Sequence, residues 1–148
     1  MKPTHADLLS AISFAAHKRR AQRRKDAEAR PYMNHPIALA HVLATEGCVT
    51  DLTTLMAAAL HDTVEDTETT YAELVDHFGK KVADVVMEVT DDKTVAKAER
   101  KRAQIEHAPH MSKRATLVKL ADKTCNLRDM AKSPPADWPL QRRREYFE

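Results

Sequence analysis

Apolar residues recur at helical spacing along most of the chain. The first stripe, formed by Leu8, Leu9, Ile12, Ala15 and Ala16, predicts a helix that begins at about Ala6 and runs into a basic segment, broken at residues 29–32. Later stripes predict further helices over residues 34–46, 52–65, 70–79, 80–89 and 112–130, a charged helix within 91–112 that is broken at Pro109, and a last helix after Asp137. The stripe of residues 80–89 is Val82, Val85, Val86 and Val89, and that of residues 112–130 is Leu117, Leu120, Ala121, Cys125 and Leu127. The pattern predicts an all-α fold.

Polar and helix-breaking residues mark the predicted helix ends. We expect Asn34 to cap the second helix, with Pro36 in its first turn and Gly47 at its end. Thr50 or Asp51 is expected to cap the third helix. The remaining signals are the capping-box spacing of Thr70 and Glu73, the stop at Gly79, and the breaker Ser133-Pro134-Pro135.

Composition agrees with this pattern. The chain has 148 residues, 43% of them hydrophobic, and two glycines, so we expect one helical domain over residues 1–148 with a real core. The longest apolar run, residues 55–60, is too short to cross a bilayer, and no leader opens the chain. We therefore expect a cytoplasmic protein with Cys48 and Cys125 reduced.

The net charge of +2 conceals a strong segregation of charge. Basic residues cluster at 18–30, 97–102 and 142–144, whereas acidic residues gather at 62–68 and 91–92. This distribution suggests an anionic partner for the basic parts and a cation for the acidic part. A solvated charged surface explains the same distribution, and charge alone favours that explanation.

The third predicted helix carries the candidate chemistry. Its residues 55–60 are apolar around the whole circumference, which is typical of a buried helix, and His61, Asp62, Glu65 and Asp66 follow. On one continuous helix these four side chains lie within an arc of roughly 140°. Carboxylates at a helix C-terminus repel one another and the helix dipole, so a divalent cation is the expected compensation. The alternative is a helix that ends by Thr63 with solvated acids.

Further metal ligands are expected from distant parts of the chain. His35 stands at a helix start, and Asp122 lies in an otherwise apolar helical stretch with Asn126 one turn later. Mixed histidine and carboxylate ligands suit Mn²⁺, Fe²⁺ or Zn²⁺, and the share of oxygen favours Mn²⁺.

These residues resemble the HD phosphohydrolase superfamily, whose signature is an adjacent His-Asp pair. Several further segments resemble the RelA/SpoT hydrolase domain, and in particular the small alarmone hydrolases that include the metazoan SpoT homologues. These segments are Gln22-Arg23-Arg24-Lys25-Asp26, Pro31-Tyr32-Met33-Asn34-His35-Pro36, His61-Asp62-Thr63-Val64-Glu65-Asp66, Val89-Thr90-Asp91-Asp92-Lys93 and Lys119-Leu120-Ala121-Asp122-Lys123-Thr124-Cys125-Asn126-Leu127-Arg128. Family members usually carry a glycine in the loop that here reads Ala27-Glu28-Ala29-Arg30. They also tend to continue the last helix beyond Glu148, so the sequence is either trimmed or naturally short.

The resemblance implies a compact HD-domain helix bundle and assigns residues to roles. It implies one Mn²⁺ bound by His35, His61, Asp62 and Asp122, with Fe²⁺ or Zn²⁺ as possible substitutes. Glu65 and Asp66 would position and deprotonate the attacking water. The implied substrate-binding residues are Arg24, Lys25, Asn126, Lys97, Arg142 and Tyr146.

The implied reaction is hydrolysis of the 3′-diphosphate of ppGpp or pppGpp to GDP or GTP and pyrophosphate, which degrades the alarmone of the stringent response. Rival interpretations are hydrolysis of another nucleotide such as NADPH, a catalytically dead regulatory domain, and a module that binds nucleic acid. Salt-sensitive binding of nucleic acid that survives Asp62→Ala would identify the last of these. We expect a small-molecule nucleotide partner rather than nucleic acid or a membrane, and the sequence leaves the oligomeric state open.

Overall fold

The computed structural model describes residues 2–147 as a set of helices joined by short loops. The helices are α1 (His5–Lys18), α2 (Asn34–Thr45), α3 (Leu52–Leu60), α4 (Thr63–Asp66), α5 (Tyr71–Phe78), α6 (Lys80–Val89), α7 (Lys97–His107), α8 (Lys113–Lys132) and α9 (Leu140–Glu145), with a 3₁₀ turn at Ala108–His110. Residues 2–147 hold no β-strand, only isolated bridges between Arg23 and Pro31 and between Asp26 and Pro135. The predicted all-α fold is confirmed.

Helix α3 lies at the centre of the core. It packs against α1, α2, α6 and α8, and each of its residues from Thr53 to Leu60 is buried. The side chain of Asp51 caps it by accepting from the Thr54 amide and, at 2.6 Å, from Thr54 Oγ1. An apolar helix sheathed by other helices loses almost all of its contact with water, which stabilises the fold at the end that carries the site.

The end of α3 differs from the predicted continuous helix to Glu65. The helix ends at Leu60, the chain turns at His61 and Asp62, and the one-turn helix α4 follows. Asp62 leaves the helical conformation with φ −102° and ψ 0°, and Thr63 Oγ1 donates to the Leu60 carbonyl at 2.7 Å. The turn thus places Asp62 just before α4, whose single turn carries Glu65 and Asp66.

The first helix is also shorter than its pattern predicted. It ends at Lys18, and the following basic segment is an irregular loop whose two sides meet through Arg24 N–H to the Arg30 carbonyl at 2.8 Å. Within this loop Ala29 has φ 47°, a left-handed conformation that costs a residue with a Cβ. Arg19, the residue after α1, turns inward and is buried, which ends the helix.

Three leucines assigned to apolar stripes are exposed: Leu9 on α1, and Leu120 and Leu127 on α8. The buried residues of α1 are Ala15, which the stripe included, and Ala11, and these small residues let α3 approach closely. On α8 the buried positions are Ala115, Val118, Ala121, Cys125 and Met130. The predicted stripe on α8 is thus confirmed at Ala121 and Cys125 and wrong at Leu120 and Leu127.

The predicted cap of α2 was wrong by one residue. Asn34 is the first helical residue and its side chain makes no capping bond. Pro36 has no amide hydrogen to offer, and the amide of Ile37 donates to the Met33 carbonyl at 3.3 Å. Among residues 2–147, no helix combines the length and the apolar character that a bilayer crossing requires.

Candidate metal centre and active site

Four side chains from three parts of the fold meet beside α3. His35 comes from the first turn of α2, His61 and Asp62 from the turn after α3, and Asp122 from the middle of α8. The ligand atoms of His35, His61 and Asp62 all lie within 4.8 Å of one another. Asp122 Oδ1 lies 2.9 Å from His35 Nε2 and 3.8 Å from His61 Nε2. The structure thus brings together all four residues expected to bind a metal.

The donor set fits a divalent ion. His61 is buried, and its Nδ1 lies 2.8 Å from the Ala58 carbonyl. A proton on Nδ1 leaves the lone pair of Nε2 pointing into the cluster, which is the arrangement of a metal-binding imidazole. His61 Nε2 lies 3.0 Å from Asp62 Oδ1 without hydrogen-bond geometry, so this buried nitrogen has no hydrogen-bond partner. A metal ion would satisfy it.

The electrostatics of the cluster also call for positive charge. Burial by itself would raise the pKa of Asp62, but His61, Tyr32 and Arg19 outweigh burial and hold that pKa well below its usual range. Burial by itself would lower the pKa of His61, yet the negative charges of Asp62 and Asp122 raise it. The carboxylates therefore favour a cation at the centre of the cluster, whether a proton or a metal ion.

Glu65 and Asp66 stand on α4, next to the metal ligands. Both line a cavity of about 220 Å³ that also contains the four ligands. Burial raises the pKa of Glu65, and the Asp91 amide donates to its Oε2 at 3.3 Å. A half-buried carboxyl group with a raised pKa beside a metal cluster is a suitable general base.

Two cations flank Asp66. Arg19 donates to Asp66 Oδ2 at 3.2 Å from the protein interior, and the Lys93 ammonium contacts Asp66 Oδ1 from the cavity side. Arg19 and Lys93 thus offset part of the negative charge of Asp62, Glu65, Asp66 and Asp122. A divalent ion would offset more of it.

The residues expected to bind substrate line two cavities that adjoin the first. Arg24, Lys25, Asn126 and Tyr146 line a cavity of about 230 Å³, which shares Tyr32 and Asn126 with the metal site. A larger opening of about 830 Å³ shares Glu65 with the metal site, and its wall includes Lys97, Arg142 and again Tyr146. Every residue expected to contact the substrate therefore lies on a wall that adjoins the metal cluster.

Several residues that complete the site were not singled out from the sequence. Tyr32 Oη donates to Asp62 Oδ2 at 2.6 Å, and Lys93, Lys119, Lys123 and Gln104 line the metal cavity. Tyr32, Lys93, Lys119 and Lys123 lie within the motifs quoted above, so attention to every polar member of those motifs could have found them. Gln104 lies on the charged helix α7, where no sequence signal separates it from its solvated neighbours.

Comparison with known proteins places these motifs in a family. The model of the HD domain family matches residues 11–146. The guanosine-3′,5′-bis(diphosphate) 3′-pyrophosphohydrolase MESH1 of Xenopus tropicalis is 55% identical over 148 residues, which is 100% of this chain and 83% of the frog protein. The MESH1 of Homo sapiens is 57% identical over 143 residues, covering 97% of this chain and 79% of the human protein.

A solved structure shares the architecture. It belongs to a metazoan orthologue of SpoT described as hydrolysing ppGpp and playing a role in starvation responses. The two chains superpose with a TM-score of 0.93 and 48% sequence identity, covering 99% of this chain and 82% of the other. Similarity of this extent covers the whole metal cluster and all three cavities.

Proposed function

The chain belongs to the HD domain family and, within it, to the small alarmone hydrolases, and on that premise we propose that it removes the 3′-pyrophosphate of ppGpp or pppGpp. The observation that carries the proposal is the convergence of His35, His61, Asp62 and Asp122 beside the acidic pair Glu65 and Asp66. The MESH1 relatives bear the name of this activity.

The proposed cofactor is one Mn²⁺ ion held by His35, His61, Asp62 and Asp122, with Fe²⁺ or Zn²⁺ as substitutes. Two imidazoles and two carboxylates suit all three metals, and the oxygen ligands favour Mn²⁺. When bound, such an ion lowers the pKa of a coordinated water and polarises a phosphoryl oxygen.

The protein's own groups would carry the proton and fix the geometry. A carboxylate oxygen of Glu65 accepts a proton from the attacking water. Burial raises the pKa of Glu65, and a raised pKa makes this carboxylate a stronger base. Asp66, held between Arg19 and Lys93, orients that water. Attack at phosphorus breaks the bond to the 3′ oxygen, so ppGpp and water yield GDP and pyrophosphate.

The cations around the cavity would offset the negative charge of the substrate. Lys93, Lys119 and Lys123 lie on the wall of the metal cavity, where charge on the transferring phosphoryl group develops. Lys97 and Arg142 border the wider opening and would hold the other phosphates.

The nucleoside would lie in the smaller adjoining cavity. Trp138 and Met130 give that cavity an apolar wall, and Arg24, Lys25 and Asn126 supply its polar groups. Tyr146 lies between this cavity and the wider opening, within reach of both parts of a nucleotide. A flat apolar wall with a few polar groups suits a purine base.

The decisive experiment incubates the protein with ppGpp and Mn²⁺ and measures pyrophosphate and GDP. We expect both products in equal amounts, no turnover with EDTA, and recovery when Mn²⁺ is restored. Parallel reactions with Fe²⁺ and Zn²⁺ rank the metals, and a parallel reaction with NADPH tests the alternative substrate. Turnover of NADPH with ppGpp untouched would show that the proposed substrate is wrong, and metal binding without any turnover would indicate a regulatory domain. A cytoplasmic location stays a prediction.

A further inference from the structure

We infer that Arg19 is a positioning residue that holds the carboxylate of Asp66 at a fixed place relative to Asp62. The inference rests on the proposed function, since Asp66 matters only if the site hydrolyses a phosphate ester. Arg19 was not singled out from the sequence, where it reads as one cation of a basic run. In the fold it leaves that run and enters the core, with 2% of its surface exposed.

The guanidinium of Arg19 joins three groups at once. Its Nη2 donates to the Asp62 carbonyl at 2.6 Å and to Asp66 Oδ2 at 3.2 Å, while Nη1 donates to Gln22 Oε1 at 2.7 Å. Gln22 Nε2 in turn donates to the Asp66 carbonyl at 3.0 Å. The backbone and the side chain of Asp66 are thus held from the same side, and one rigid fork links Asp66 to the turn that carries His61 and Asp62.

The ring of Tyr32 closes this arrangement. Its centroid lies 4.1 Å from Arg19 Cζ, and its hydroxyl donates to Asp62 Oδ2. Tyr32 lines the metal cavity, whereas Arg19, which stacks on its ring, is not among the residues that line that cavity. A buried cation with these partners fixes a geometry, because an unpaired guanidinium in this position would be costly.

Arg19 does not line any of the three cavities in which the substrate would lie. The walls of the metal cavity, of the nucleoside cavity and of the wider opening do not include it among the described residues. Lys93 contacts the opposite oxygen of Asp66 from within the cavity, where an arriving phosphate competes for its charge. Arg19 keeps its hold on Asp66 when Lys93 turns to the substrate, so its effect falls on the rate of the chemical step and not on substrate binding.

The test compares R19M and R19K with wild type, using R114M as the matched control. Arg114 pairs with Asp51 at 2.7 Å at the opposite end of α3, and its side chain is about half exposed. Titration with Mn²⁺ counts the intact metal sites per chain, and kcat for ppGpp is divided by that count to remove any unfolded fraction. The increase in Tm on adding Mn²⁺ gives a second readout that needs no turnover.

For R19M we expect a full complement of Mn²⁺ sites, a wild-type increase in Tm with Mn²⁺, and a fall in kcat per site of about 10–100-fold, as for other groups that orient catalytic ligands. KM should stay within about threefold of wild type because Arg19 does not reach the substrate. The kcat per site of R19K should lie between that of R19M and that of wild type, since an ammonium group keeps the charge but cannot reproduce the planar fork of the guanidinium. R114M should match wild type in kcat and KM.

If R19M has the wild-type kcat per Mn²⁺ site, the inference is wrong. If R19M does not fold, R19K is measured in its place, and a wild-type kcat per Mn²⁺ site in R19K overturns the inference. Loss of the Mn²⁺ sites in a folded variant would also overturn it, because Arg19 would then support the metal ligands as a whole. If the wild type itself leaves ppGpp untouched, the proposed function fails separately. The comparison is then made with NADPH or whichever phosphate ester the wild type does hydrolyse.

Discussion

Tyr32 offers a sharp test of the metal centre, because its contribution can be removed as a single hydroxyl group. Tyr32 Oη donates to Asp62 Oδ2 at 2.6 Å. Burial and the neighbouring negative charge of Asp62 raise the pKa of Tyr32, so the hydroxyl remains a neutral donor at every physiological pH. In Tyr32→Phe the ring can still stack on Arg19, while Asp62 loses the bond that orients its carboxylate.

The expected loss of Mn²⁺ affinity follows from the removal of that hydrogen bond. Groups that orient metal ligands typically change metal affinity or activity about 10–100-fold when they are removed. The Kd for Mn²⁺ should therefore rise by about 10–100-fold in Tyr32→Phe, which corresponds to about 1.4–2.7 kcal/mol. Isothermal titration calorimetry without nucleotide measures this directly and avoids any effect of Tyr32 on the adjoining nucleoside cavity.

Tyr71→Phe supplies the matched control. Tyr71 Oη donates to Asp84 Oδ1 at 2.8 Å between α5 and α6, on the surface and outside the metal cavity. This variant loses an equivalent tyrosine–aspartate bond and should keep the wild-type affinity for Mn²⁺. A Kd for Tyr32→Phe within about twofold of wild type would show that this hydrogen bond does not orient a metal ligand.

Four further predictions test the site and the fold. Glu65→Gln should keep Mn²⁺ affinity within about threefold and lower kcat by about 10²–10⁴-fold, and near-normal turnover would exclude Glu65 as the base. His61→Ala should abolish both Mn²⁺ binding and turnover, which calorimetry and a pyrophosphate assay check side by side. Leu74→Ala removes a fully buried side chain and should lower the free energy of unfolding by about 2–5 kcal/mol in urea melts, whereas Leu120→Ala at an exposed position should change it by less than about 0.5 kcal/mol. Ala29→Gly should raise the free energy of unfolding by about 0.5–1 kcal/mol, because relief of about 1–2 kcal/mol of left-handed strain exceeds the entropy cost of glycine; a lower melting temperature would contradict this.

The parts of the fold that the sequence predicted well are those with strong local signals. Helix α5 begins after Thr70, whose side chain accepts from the Glu73 amide, and ends at Gly79, which has φ 80°. Helix α6 buries the predicted stripe of Val82, Val85, Val86 and Val89. Such boundaries depend on capping groups and spacing within a few residues, which a single sequence displays directly. That residues 1–148 form one domain stays a prediction.

The parts that the sequence could not predict depend on contacts between distant residues. Nothing local ends α1 at Lys18, because the cause is the burial of the Arg19 side chain against Asp62 and Asp66, more than forty residues away. Likewise, the local sequence allows the predicted continuous helix to Glu65, and the turn at His61 becomes favourable only where tertiary partners hold Asp62. The candidate ligands were found by chemical type and family resemblance, but their meeting is a property of the packing of α2, α3 and α8.

The same long-range contacts explain why basic and acidic residues are segregated along the sequence. Asp62, Glu65 and Asp66 of the 62–68 segment form the floor of the metal cavity. Part of the basic segment returns to that floor, with Arg19 behind it and Arg24 beside it. An acidic floor by itself repels a phosphorylated nucleotide, whereas basic walls by themselves attract any polyanion. Only together with a divalent ion do they select a ligand whose phosphates reach the floor while the rest of the molecule stays between the basic walls. The near-neutral net charge of +2 thus conceals acidic and basic groups that lie next to each other at one site, and phosphate hydrolysis depends on such electrostatic stabilisation.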